Sequence, residues 1–215
     1  MVKSTLIYRN DALPLCGSVD DDAEAGLLEQ KKKCKLIISR ITPNSESQAS
    51  IESGSNYVIH YLIKDSIVYL VICDKSYSRK LAFSYLDEIS NEFTKLYGPE
   101  TMNPDVRPFA FAKFDSFLGK TKKVYQDARA QSNLDRLNND LADVKKVMTK
   151  NIEDLLYRGD SLDKMTDLSS SLRAESKKYR KSAQKINFDA MIRQYVPIAC
   201  ASFIFVFLLW YTLLR

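Results

Sequence analysis

The chain has 215 residues, 45% of them hydrophobic, and a formal net charge of +5. That apolar share excludes a wholly disordered chain, and 6 Gly and 6 Pro exclude collagen-like and Pro/Gly-rich classes. Cys16, Cys34, Cys73 and Cys200 have no CxxC spacing, so neither a disulfide scaffold nor a metal site is expected.

Residues 1–125 predict one mixed domain of the α+β type. Segments 4–9 and 13–18 bracket the turn-prone pair Asn10-Asp11 and predict a hairpin. Asp20, Asp21 and Asp22 suit the positive end of a helix dipole, and a helical pattern follows. Leu27, Leu28, Cys34, Ile37, Ile38 and Ile41 share one face of it. Lys31, Lys32, Lys33 and Lys35 mark its wet side, and Pro43 stops it. That lysine run predicts a solvated face rather than a nucleic-acid site, because no other basic residues cluster with it.

Three strands follow. A short one is expected before Gly54, and Tyr57, Ile59, Tyr61 and Ile63 alternate with Val58, His60 and Leu62 in the next. Lys64-Asp65-Ser66 makes a turn, and 67–73 is a continuous apolar run suited to a central strand. The period then becomes helical over 79–96, through Ala82, Tyr85, Leu86, Ile89, Phe93 and Leu96. A loop is expected over 98–108, with a last helix at Phe111, Phe114 and Leu118. Consecutive strands with short turns imply antiparallel pairing. His60 reads as a structural imidazole, the glycines are isolated, and no nucleophile, metal or phosphate-loop spacing occurs, so an enzyme is the weakest class.

From Leu134 the apolar spacing alternates between three and four. The seam is Leu134, Leu137, Leu141, Val144, Met148, Asn151, Leu155, Arg158, Leu162, Met165, Ser169, Leu172, Ser176, Tyr179, Ala183 and Ile186. Such a repeat predicts a left-handed coiled coil about 78 Å long at 1.5 Å per residue. A single helix of this kind cannot bury its own stripe, so it is expected to fold on partner helices. Arg158 is a d position between Leu155 and Leu162. In a homo-oligomer identical guanidinium groups would face one another, whereas neutral acceptors on non-identical helices would satisfy a five-donor fork and fix the register.

The surplus charge lies at the C-terminal end of the seam and just after it. Arg173, Lys177, Lys178, Arg180, Lys181, Lys185 and Arg193 are opposed only by Glu175 and Asp189, so this stretch alone carries a charge equal to the whole +5. Residues 196–214 follow without a charge and would span roughly 28 Å as a helix, close to a hydrocarbon core. A basic collar before an apolar span points to anionic lipid and not to nucleic acid. The expected topology is single-pass type IV, with the N-terminus cytosolic. The short span suits thin membranes of the early secretory pathway.

Heptads centred on Arg158, the basic flank and the C-terminal span resemble an R-SNARE of the synaptobrevin-like type. The preceding domain resembles a longin domain. The runs KSTLIYR at 3–9, KLAFSYLDEI at 80–89 and NIEDLLYRGDSLDKM at 151–165 are similar to the longin R-SNARE branch of endoplasmic reticulum–Golgi transport. The resemblance implies a five-stranded antiparallel sheet with one helix on one face and two on the other. It divides the chain into a longin domain at 1–125, an R-SNARE motif at 126–188, a juxtamembrane linker at 189–195 and an anchor at 196–214. It implies a parallel four-helix bundle with one Qa, one Qb and one Qc SNARE helix, the Qa coming from an early-Golgi syntaxin. Arg158 would form the zero layer against three glutamines, and the other fifteen seam residues would be packing layers. The segment Asn151-Ile152-Glu153 would fold back on the longin domain, in a form read by the COPII coat. No cofactor and no metal are implied. The location implied is the endoplasmic reticulum membrane, the Golgi membrane and transport vesicles. A tail-anchored coiled-coil tether, or a longin regulatory adaptor without fusion activity, is the alternative.

Overall fold

The computed structural model describes residues 1–18, 25–42, 44–126 and 147–153. In chain order these form β1 (Val2–Arg9), β2 (Pro14–Gly17), α1 (Ala25–Arg40), β3 (Gln48–Ser53), β4 (Tyr57–Lys64), β5 (Ile67–Asp74), α2 (Arg79–Thr101), a 3-10 turn at Ala112–Phe114, α3 (Asp115–Gln126) and β6 (Met148–Asn151). The sheet order is β2-β1-β5-β4-β3-β6. The first five strands pair antiparallel, as expected, but β6 adds a sixth strand parallel to β3.

The apolar run of β5 is central because both of its faces are covered. Ile67, Tyr69, Val71 and Cys73 enter the cluster beneath α2 and α3, while Val68, Leu70 and Ile72 enter the cluster beneath α1. Period-two alternation divides one strand between two cores. The β4–β5 turn has positive φ at both Asp65 (51°) and Ser66 (61°), the geometry whose twist matches a tight hairpin. At the other edge β2 is capped by a loop: Phe109 and Phe111 donate their N–H groups to the carbonyls of Pro14 and Leu15. Phe109 holds φ 60° to do so.

Several expectations need correction. The loop expected from residue 98 starts later, because α2 continues through Gly98 and Pro99 to Thr101. The Arg9 guanidinium, itself paired with Asp11, donates to the carbonyls of Thr101 and Asn103 at 3.0 Å and so anchors that end. Tyr97 rather than Leu96 continues the buried stripe, stacking among Phe93, Phe111 and Phe114, and Leu96 is 49% exposed. Lys31 is buried rather than wet, since its spacing from Leu27 and Cys34 sets it on the inner stripe of α1. Cys16, Cys34 and Cys73 are buried, and burial pushes the Cys34 and Cys73 thiols up to about 12.

Two seam positions fall in the sheet. Met148 and Asn151 stand in β6 and not in the continuous helix expected through them. Residues 147–153 thus pack on the domain formed by the preceding described residues. The remaining seam positions, Arg158 among them, the basic collar and the span at 196–214 lie outside the described residues. Among the described residues no helix is long and apolar enough to cross a membrane.

A candidate interaction site at the sheet edge

β3 pairs with β4 on one side and turns its other edge outward, where β6 is seated. The register sets Ala49 opposite Met148, Ser50 opposite Thr149, Ile51 opposite Lys150 and Glu52 opposite Asn151. Strand geometry sends alternate side chains to opposite faces. Val147 and Thr149 therefore lean toward the α2 side, and Lys150 and Ile152 toward the α1 side.

The two apolar ends of the segment do the packing. Val147 is 7% exposed and joins the core beneath α2, while Ile152 is 4% exposed and joins the core beneath α1. Each contributes about 1.5–3 kcal/mol of apolar burial before the cost of ordering the chain. The four strand residues between them, Met148 to Asn151, are exposed or half-buried, and Met148 is 49% exposed. β6 is a clamp with an apolar residue at each jaw and backbone pairing in between.

Polar contacts set its position. Arg79, the first residue of α2, donates through Nη2 to Thr149 Oγ1 at 2.8 Å and through Nη1 to the Val147 carbonyl at 3.5 Å. Lys150 Nζ lies 3.8 Å from Glu46 Oε2, a half-exposed ion pair of small worth. Asn151 Oδ1 accepts the Glu153 N–H at 3.2 Å, and Ile152 and Glu153 are helical. Asn151 thus ends the strand and caps the turn after it.

Beneath the clamp, Ser50 Oγ and His60 Nδ1 are 2.8 Å apart, and the imidazole meets Phe83 edge-on at 5.4 Å. Burial pulls the His60 imidazole down to about 4, and the Arg79 charge adds to this. The ring is neutral at physiological pH and serves the core, as its strand position predicted. Among the described residues no cluster of His, Cys, Asp or Glu could hold a metal ion.

The expected fold-back residues fall together here: Asn151 in β6, with Ile152 and Glu153 directly after it. The sequence reading missed Val147, Thr149 and Arg79. One signal was available. Asn151 is a polar seam position with low helix propensity and high capping propensity. Val147 and Ile152, immediately outside the strict seam, widen the apolar stripe around it.

The chain matches the family model described as Longin, a regulated-SNARE-like domain, over residues 15–118, and the synaptobrevin model over 133–213. It is 57% identical over 215 residues to protein transport protein SEC22 of Saccharomyces cerevisiae, covering 100% of both chains. It is 61% identical over 214 residues to the protein of the same name in Yarrowia lipolytica, covering 99% of this chain and 100% of that one. The 25.3 kDa vesicle transport protein SEC22-1 of Arabidopsis thaliana is 40% identical over 214 residues, covering 98% of this chain and 97% of its own. With a longin domain whose sheet edge carries part of a synaptobrevin-type segment, and with likeness along its whole length, the chain belongs to the SEC22 family of protein transport proteins.

Proposed function

We propose that the chain is an R-SNARE that drives fusion of transport vesicles between the endoplasmic reticulum and the Golgi. The seam from Leu134 to Ile186 joins one Qa, one Qb and one Qc helix, with Arg158 as the polar zero layer. Zippering begins at the membrane-distal end and closes toward Ile186, so the anchor at 196–214 is drawn toward the partner bilayer. Lys177, Lys178, Arg180, Lys181, Lys185 and Arg193 meet anionic lipid there, each adding about 1 kcal/mol of attraction. No covalent chemistry is involved: folding does the mechanical work.

The observation that carries the reading is double use of one segment. Met148 and Asn151 are seam positions by spacing and strand residues by structure. A strand rises about 3.3 Å per residue and alternates its side chains, while a helix rises about 1.5 Å and repeats near 3.6, so the two uses exclude each other. With β6 on β3 the bundle cannot close through these layers. The docked segment both withholds the SNARE motif and completes a surface for recognition by the COPII coat.

The test is liposome fusion. Full chain in one liposome population and Q-SNARE helices in another are expected to mix lipids, with a detergent-resistant complex as product. A chain lacking 194–215 is expected to form the complex without mixing lipids. Fusion by the truncated chain would overturn the pulling mechanism, and recovery of a complex of this chain alone would favour the tether.

A further inference from the structure

We propose that Thr149 is a phosphorylation site whose phosphate holds β6 on the domain through Arg79. The inference rests on the docked state described above, and it assigns that state a covalent regulator.

Thr149 is exposed, and its Oγ1 already accepts the Arg79 Nη2 hydrogen bond at 2.8 Å. Among the described residues the other hydrogen bond of Arg79, to the Val147 carbonyl, is long at 3.5 Å. A phosphate on Thr149 would present three acceptor oxygens to a planar fork that matches phosphate geometry. The single bond from a cation to a neutral hydroxyl would become a bidentate pair with charge on both partners.

The same group would gain nothing comparable in the bundle. Thr149 follows the a-position Met148, which makes it a b position, on the outer surface of a coiled coil. A phosphate there stays in water in the bundle and meets Arg79 only in the docked state. A ligand shifts an equilibrium only by its differential interaction with the two states, and this group has one.

The surrounding sequence suits a kinase that prefers basic substrates. Lys145 and Lys146 precede Thr149 by four and three residues, and Lys150 follows it. The transfer is ordinary phosphoryl chemistry. Thr149 Oγ1 attacks the γ-phosphorus of ATP, the Oγ1–P bond forms as the bond to the β–γ bridging oxygen breaks, the hydroxyl proton passes to the kinase base, and ADP leaves. An undocked, extended segment is the form that a kinase cleft can accept.

The test uses the full chain in lipid nanodiscs, treated with ATP and the catalytic subunit of a basophilic protein kinase. Mass spectrometry locates the phosphate, and hydrogen exchange follows the amides of β3 and of 147–153. Phosphate at Thr149 is expected, with exchange of those amides slowed five- to tenfold. Arg79→Gln is expected to abolish the slowing, and Arg79→Lys to retain a smaller part of it. No phosphate at Thr149, unchanged or faster exchange, or equal slowing in Arg79→Gln would each overturn the proposal. The unmodified chain separates the two readings. Rapid exchange there means that the docked state itself fails, whereas protection that phosphate does not increase means that only the switch fails.

Discussion

Ile152→Ala is expected to release the docked segment without harming the bundle. In the docked state Ile152 is 4% exposed within the core beneath α1, at the very end of the clamp. Truncating it removes most of an aliphatic side chain at a margin that can partly collapse, a loss of about 2 kcal/mol. That corresponds to a roughly 30-fold shift toward the undocked form. In the coil Ile152 is next to the d-position Asn151, outside the strict seam, and alanine has the higher helix propensity. Two measurements read the shift. Hydrogen exchange of Gln48–Ser53 and of 147–153 should accelerate, while the amides of β5 keep their protection. The rate of assembly with Q-SNARE helices should rise in proportion to the undocked fraction until that fraction nears one. The reasoning is refuted if the melting temperature of the whole domain drops while exchange at the β3 edge and the assembly rate stay unchanged. Ile152 would then be an ordinary core residue rather than the end of a releasable clamp.

His60 gives a pH prediction. Its folded value of about 4 lies below the ordinary 6.5, so the fold prefers the neutral ring, and this contribution is full above pH 6.5. As pH falls from 6.5 toward 4, the unfolded chain takes up the proton first and about 2–3 kcal/mol is lost, which urea denaturation at pH 7.5 and 4.5 should show and His60→Gln should diminish. Arg9→Gln removes the donors to the Thr101 and Asn103 carbonyls and is expected to cost about 1–3 kcal/mol, read as a lower midpoint in thermal melting. Arg158→Leu is expected to leave a bundle that still forms but tolerates shifted registers, checked by cross-linking between single cysteines on neighbouring helices.

Much of the domain was legible because its signals are local. The period-two run of β4, the apolar run of β5 and the helical period of α2 each carry their structure in consecutive residues. The end of α2 was misread because a contact from Arg9, far away in sequence, overrides the glycine and proline there. β6 follows a different logic. Residues 148–151 satisfy a helical repeat, and the repeat predicts the partnered state. In the docked state two flanking residues, Val147 and Ile152, find cores on either side of the sheet edge. Asn151 ends the strand through its side chain, a local device that does not disturb the apolar periodicity. Of the candidate site, then, the Arg79 contact was not readable, because nothing in the sequence links residue 79 to residue 149.

The two ends of the sheet are protected on different terms. The outer edge of β2 is closed by the 109–111 loop, which is held by two backbone hydrogen bonds and by Phe111 in the core beneath α2. Among the described residues the outer edge of β3 is closed only by β6. Each departure of β6 therefore uncovers a row of unpaired N–H and C=O groups on Gln48–Ser53, a template for any extended chain nearby. Such an edge invites pairing between neighbouring copies, and the one acidic residue of the strand, Glu52, is already paired with Lys75 at 3.1 Å. The parallel strand is thus also a guard against self-association for as long as it stays docked.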